Sequence, residues 1–556
     1  MMRQISGVPL VFHSRLMRYK WSNGNEWNGA GSENDVNSVG MVSGIMGELS
    51  LLLPESLSPQ IQRHLSHAAF AVAYDLSLIP IPQPSRATFQ DGRLTIYHNF
   101  NESGHVLVPW KVNEKACRVL ESASLCSHFH PYRLLVELAR GELHQLREFV
   151  EDWTGIGVQL PESFHHSLRE ATRLFIAALT ADEHHRQDQL SAVVLEQCSH
   201  LSDQLVREFS QQILEARLQQ QGRLHTRLSA QTKEPWGPTQ SFYLQSCNAA
   251  HLAVSWRQVE PAEGRWCWET WDHVLAEALE AAVPITAGPL IDLSREALPE
   301  WLLVHQGDWP VLAALMCDYV ESVIQRYRHA IRRWIVISGF NLADPLGLED
   351  DQRLRLAHRL LLAATHADPE LEMGIRIAQP WGDYLSTQSS GLSPLVFVDD
   401  LLRSGLTLAT LDLEIRFGPL PRASWPRDLL DLVRLLELYA IFGIPLSVTL
   451  AVPAHGPLAP ETLASSQLPL TCLQLESPED PTHPAEWGTA LTSVALALPS
   501  VQAVTWESWR ESAPPSFSSC GKESSAGSSF LGLLDGQNQP HPLWQRWCQL
   551  RSRYLQ

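Results

Sequence analysis

The sequence has no C-x-x-C pair, no run near the ~20 apolar residues of a membrane span and no excess of basic charge, and each absence closes a class of function. Its nine cysteines are scattered and odd in number, which reads as reduced thiols filling core rather than a disulfide framework or a zinc module. With 42 Lys and Arg against 61 Asp and Glu the net charge is −19, a field that repels a phosphate backbone, so no nucleic-acid partner is expected. No stretch joins a basic segment, an apolar segment and a small-residue cleavage site. The expectation is a soluble, cytoplasmic protein without a membrane contact. A Gly-rich loop after a first strand, a P-loop and a G-x-S-x-G elbow are all missing, so no cofactor is expected.

What is present is globular: 44% of residues are hydrophobic and 19% charged, enough apolar area to offset chain entropy. A length of 556 residues suggests several domains, but α/β barrels use 250 or more as one unit, which lowers the count to two or three. Residues 1–45 are Asn, Gly and Ser rich and aperiodic, and read as a loose tail or as an extension ahead of a true start at Met41 or Met46.

Residues 46–140 read as a β-sandwich-like module. Asp91-Gly92 marks a hairpin between Ala87-Thr-Phe-Gln and Arg93-Leu-Thr-Ile-Tyr-His, and Val106–Val112 and Tyr132–Leu138 add further short strands. Residues 141–235 turn helical, with Leu168, Ala171, Leu174, Phe175 and Ala178 on one face and Leu205, Phe209, Ile213 and Leu214 on another, and read as a helical connector. From 236 to 556 short apolar runs alternate with amphipathic segments. The runs are His251–Trp256, Val283–Asp292, Trp334–Ser338, Met373–Ala378, Leu406–Ile415, Ile444–Leu450, Leu470–Leu475 and Val501–Trp506. Repeated strand-helix units of this number suit an α/β fold, a (β/α)8 TIM barrel.

Val259-Glu-Pro-Ala-Glu-Gly-Arg-Trp-Cys-Trp-Glu-Thr-Trp-Asp resembles the segment after the second strand of the family 10 glycoside hydrolases, the xylanase-type barrels. The likeness continues through Pro299-Glu-Trp-Leu, Arg326-Tyr-Arg-His-Ala-Ile-Arg-Arg-Trp-Ile-Val-Ile, Gly405-Leu-Thr-Leu-Ala-Thr-Leu-Asp-Leu-Glu-Ile and Gly532-Leu-Leu-Asp-Gly-Gln-Asn-Gln-Pro-His-Pro, five pieces in order over about 240–556. The resemblance implies a barrel acting on the O-glycosidic bonds of a poly- or oligosaccharide. It also implies where the chemistry would sit. The family's acid position falls on Ser338-Gly339-Phe340, its nucleophile position on Leu450, its third-strand histidine on Gly288, and its second-strand Asn and Lys on Leu252 and Ser255. The family's catalytic glutamates are therefore not expected to be retained, which makes the chain a pseudoenzyme candidate.

Polar groups nevertheless occur where a barrel mouth would use them. Alternation in Leu411-Asp-Leu-Glu-Ile-Arg-Phe puts Asp412, Glu414 and Arg416 toward the barrel axis, and Asp292 and Asn341 fall near strand ends. A glycosidase needs two carboxyls, one to protonate the leaving oxygen and one to attack or activate water. Glu414 and Asp292 are the candidate catalytic pair, with Arg416 tuning a carboxylate by proximity. The bland alternative is a Glu414–Arg416 or Asp412–Arg416 pairing that only completes the barrel. Asn341, Asp412, Arg416, Trp256 and Trp506 are the candidate substrate-binding residues; the 19 tryptophans also include Trp301 and Trp381 near strand ends, and Trp266, Trp268 and Trp271, which read as packing. Cys126, His128 and His130 lack a second cluster, so no metal site is expected. Ser516–Ser529 reads as a flexible loop after the last strand. Three functions remain: a glycoside-hydrolase-like enzyme with displaced carboxylates, a non-catalytic carbohydrate-binding protein on the same barrel, or a structural or interaction protein with no sugar ligand.

Overall fold

The computed structural model describes residues 47–55, 57, 70–74, 80–82, 86–98, 103–112, 117–128, 130–386, 391–417, 422–453, 482–511 and 530–556. Residues 1–45 with Met41 and Met46, the run Leu470–Leu475 and the segment Ser516–Ser529 lie outside them.

The first part of the chain forms two four-stranded sheets. One orders β4 (Arg86–Gln90), β5 (Arg93–His98), β1 (Gly47–Leu52) and β8 (Tyr132–Arg133); the other orders β3 (Pro80–Pro82), β2 (Phe70–Tyr74), β6 (Gly104–Lys111) and β7 (Cys117–Glu121). Asp91 and Gly92 both take positive φ, 52° and 75°, as the two-residue turn between β4 and β5 requires. Alternation buries Leu49 and Leu51 of β1 against Leu94 and Ile96 of β5, and Val106, Val108 and Leu120 join them in one core. The run at Tyr132 departs from its expected strand: only Tyr132–Arg133 pairs, and a helix spans Leu134–Gly155. Its apolar side chains recur at Leu135, Leu138, Leu146, Val150 and Trp153, a helical stripe that the first few residues alone cannot distinguish from a buried strand.

Two further helices follow, Glu162–Thr180 and His184–Gln221. The second runs along the barrel, where Arg217 Nη1 donates to the Leu496 carbonyl at 2.6 Å.

The rest is a closed parallel barrel. Its strands are β9 (Arg227–Thr232), β10 (Ala250–Leu252), β11 (Ile285–Ala287) with its continuation β12 (Ile291–Asp292), β13 (Arg333–Ser338), β14 (Glu372–Ala378), β15 (Thr410–Arg416), β16 (Leu446–Ala451) and β17 (Val501–Trp506). β17 pairs back onto β9, and since β11 and β12 share one place beside β13 there are eight strand positions. The first barrel strand therefore begins at Arg227, inside the segment expected to be connector. Four of its six residues, Arg227-Leu-Ser-Ala-Gln-Thr, are polar, three of them on the face that lines the barrel, so no apolar run marks it.

The third position is split at Gly288. A Cβ there would lie 2.2 Å from the Ile335 carbonyl oxygen, and its φ is 121°, so the close pass of the two strands needs glycine. The amide of Leu290 then donates to that same carbonyl at 3.0 Å, which carries the chain on to place Asp292 beside Ser338.

Candidate functional site

Parallel strands bring their carboxyl ends to one face, and Asp292, Ser338, Glu414 and Arg416 all lie at or next to such ends. In β15 the inward side chains are Asp412, Glu414 and Arg416, one above the other. Each has a different partner.

Deepest, Asp412 takes Arg376 Nε of β14 at 2.5 Å and the Thr449 hydroxyl of β16 at 3.0 Å, and Arg376 Nη2 donates to Thr449 Oγ1 at 3.1 Å. All three side chains are buried. The partner of Asp412 is thus Arg376, not Arg416. Arg416 pairs instead with Glu507, its Nε donating at 3.0 Å, and approaches Glu414 only to 3.7 Å.

Between these groups stands Arg422, from the segment after β15. Its Nη1 and Nη2 donate to the two oxygens of Asp292 at 2.7 and 2.6 Å. Its Nε donates to Glu414 at 3.0 Å, and Nη2 also reaches Glu414 at 3.2 Å and Ser338 Oγ at 3.0 Å. One guanidinium therefore holds both expected carboxylates. Burial by itself would raise the Asp292 carboxyl, but the charge and hydrogen bonds of Arg422 outweigh it and hold the group well below the usual carboxylate range. The same two carboxylates hold Arg422 well above the ordinary arginine value despite its burial.

β13 ends at Ser338 and is followed by Gly339 and Phe340. Gly339 has φ 75°, and a Cβ on it would meet Arg422 Nη1 at 3.5 Å, so the guanidinium lies over the glycine. On β16, Thr449 faces inward onto Asp412, so Leu450 faces outward, and Ala451 is the next inward position.

The remaining expected residues lie as follows. Asn341 is buried, its Nδ2 donating to the Ala378 carbonyl at 2.8 Å and to Tyr384 Oη at 3.0 Å. Trp256 is buried, stacked on Tyr319 at 4.5 Å, with its N–H on Glu260 at 2.8 Å. Trp506 is fully buried, its N–H on the Leu531 carbonyl at 2.6 Å. Neither ring face is open to a ligand. Trp381, which follows β14, is half-buried, with the Arg427 guanidinium 5.1 Å from its ring centre and Arg427 in turn on Asp383 at 2.6 Å. Among the described residues no group of three or more His, Cys, Asp and Glu is placed to hold a metal ion. No described helix is long and apolar enough to cross a membrane.

Arg422 and Glu507 were missed in the sequence. Glu507 follows Trp506 at a strand end, a readable signal; Arg422 sits in Pro-Arg-Ala-Ser-Trp-Pro-Arg, where no periodicity points to it.

No family model matches the chain. Endo-1,4-beta-xylanase A of Fusarium oxysporum f. sp. lycopersici is 30% identical over 88 residues, 16% of this chain and 26% of that protein, so the chain matches about a quarter of its length. Among solved structures, a GH10 protein of Paenibacillus barcinonensis is 14% identical, with 62% of this chain and 97% of that one covered and a TM-score of 0.44. Xylanase 10B of Thermotoga maritima is 13% identical, with 62% and 98% covered and a TM-score of 0.42.

Proposed function

We propose that this chain is a glycoside-hydrolase-like barrel that binds a poly- or oligosaccharide without cleaving it. The observation that carries this reading is Arg422, which occupies the hydrogen-bonding oxygens of both Asp292 and Glu414. Hydrolysis needs one carboxyl carrying a proton and a second with a free oxygen at the anomeric carbon. A bidentate arginine keeps Asp292 ionised, and the same cation faces Glu414. The glycan class rests on the sequence resemblance and on what the matched fungal protein is named, a xylanase. Trp381 is the tryptophan after β14 that keeps part of its surface open, and is our choice for stacking on a sugar ring.

The convergence of Asp292 and Glu414 is also what a displaced acid/base pair would require, so the enzymatic reading stays as the second. Reducing-end release from xylan and a glycan panel, compared between wild type and Glu414→Gln, separates the two. Saturable binding with no release by either protein is the expected result. Release by wild type that Glu414→Gln abolishes would establish the enzyme instead, and failure to bind any glycan would remove both readings.

A further inference from the structure

The two sheets ahead of the barrel end in the edge strands β4, β8, β3 and β7, and all but one are closed. β3 is Pro80-Ile81-Pro82, in which both prolines lack an N–H. β7 is covered by the barrel, where the Val119 amide donates to the Pro426 carbonyl at 2.7 Å. β8 is only Tyr132–Arg133 and passes straight into the helix Leu134–Gly155. β4 is open. Its residues Arg86-Ala-Thr-Phe-Gln include no proline, and its register against β5 runs without a bulge.

Alternation of the ladder shows which of its backbone groups are free. The two-residue turn at Asp91-Gly92 makes Gln90 and Arg93 a hydrogen-bonded pair, so Thr88 with Thr95 and Arg86 with Tyr97 are bonded in turn. On β5 the intervening Leu94 and Ile96 pair with Leu51 and Leu49 of β1, and the Leu53 amide donates to the Gly92 carbonyl at 3.0 Å, which fixes the same phase. The N–H and C=O of Ala87 and Phe89 therefore point away from the sheet, and among the described residues they have no backbone partner. The side chains of Ala87 and Phe89, opposite Ile96 and Leu94, lie on the core face, yet both stay only half-buried at its margin. Hydrogen bonding and apolar surface are left unfinished along the same line.

We propose that β4 pairs antiparallel with β4 of a second copy of this chain, about a two-fold axis at Thr88, joining the two sheets into one. The spacing selects this occupant. Ala87 and Phe89 flank Thr88 symmetrically, so the two-fold sets Ala87 opposite Phe89 of the second copy, and the reverse. Each such pair exchanges both of its N–H and C=O groups, which satisfies every outward group of Ala87 and Phe89 on both edges. The Phe89 ring then lies beside the small Ala87 on the core face. Thr88 meets Thr88 on the other face and Arg86 falls opposite Gln90, so no like charges meet. An unrelated peptide strand would need no such symmetry. Because β4 is short, the contact is small, and a weak, concentration-dependent dimer is expected rather than an obligate one.

Sedimentation equilibrium of the full chain tests this without reference to a glycan. The weight-average mass of the wild type should rise toward that of a dimer between about 1 µM and about 1 mM, and the Ala87 and Phe89 amides should exchange more slowly as it does. Thr88→Lys and Thr88→Glu each set like charges face to face on the side away from the core, and each should weaken association at least about tenfold at low salt. An equimolar mixture of the two variants should associate again, because unlike charges then meet at the axis. A wild type that stays monomeric throughout, single variants that associate as wild type does, or a mixture no better than either variant alone would each overturn the proposal. Wild-type mass and exchange at Ala87 and Phe89 decide it even where a variant does not fold.

Discussion

Arg422 is the residue on which the site turns. Asp292 and Glu414 keep only 12% and 2% of their side-chain surface exposed, and removing the cation strands both charges. Arg422→Met should cost about 3–5 kcal/mol in a denaturant titration, whereas adding Asp292→Asn and Glu414→Gln to it should restore most of that loss. A cost under about 1 kcal/mol would mean that the cluster is wetter than its contacts imply. His251 gives a second test at this scale. Burial, reinforced by the charge of Arg376, lowers its ring to about 4, below the 6.5 of an ordinary histidine. The unfolded chain therefore takes up the proton first. The contribution of the neutral ring is complete above pH 6.5, falls as pH drops toward 4 and then levels, a loss of about 3 kcal/mol that His251→Gln should abolish. Asp412, Glu414 and Arg416 were legible because strand alternation puts charges in an otherwise apolar run. Their partners were not: Arg376 lies on another strand and Arg422 in an irregular segment, and pairing across the barrel leaves no local pattern.

At the scale of elements, apolar runs announced most barrel strands because both of their faces are covered. β9 escaped notice because its inward residues Arg227, Ser229 and Gln231 are polar, which leaves no apolar run to read. The segment after β10 shows the opposite case, a motif legible by resemblance and structural in its contacts. Glu260 accepts from Trp256 Nε1 and from the Gly264 amide, both at 2.8 Å, which ties the turn to the core, and Trp266 stacks on Trp268 at 4.9 Å. The split third strand carries a prediction. Gly288→Ala forces a Cβ against Ile335 and a positive φ on alanine, and should destabilise by at least about 1–3 kcal/mol. Because Asp292 lies four residues on, the same change should also weaken glycan binding; unchanged stability would show that the strands can move apart.

Across the whole molecule, the sheets and helices ahead of the barrel are packed on it rather than strung from it. Val119 donates to the Pro426 carbonyl at 2.7 Å, and Arg434 reaches Glu121 at 2.7 Å. At this seam burial, with Asp431 nearby, raises the Asp428 carboxyl to about 7, and burial, with Asp152, raises Glu437 to about 7. The folded state therefore binds these protons more tightly than the unfolded one, and stability rises as pH falls from above 7 toward 4. Asp428 also caps the helix Leu429–Ala440 through the Asp431 amide at 2.8 Å, a bond that asparagine can keep. Asp428→Asn should therefore be more stable than wild type above pH 7, with the advantage vanishing near pH 4; a pH-independent difference would contradict the assignment. The net charge of −19 is compatible with a neutral glycan and opposes a polyanion. The most direct test of the central claim is calorimetric titration of the wild-type protein with a xylo-oligosaccharide, followed by analysis of the recovered sugar. Saturable heat with the oligosaccharide returned intact is the predicted result; recovered fragments, or no binding heat at all, would contradict it.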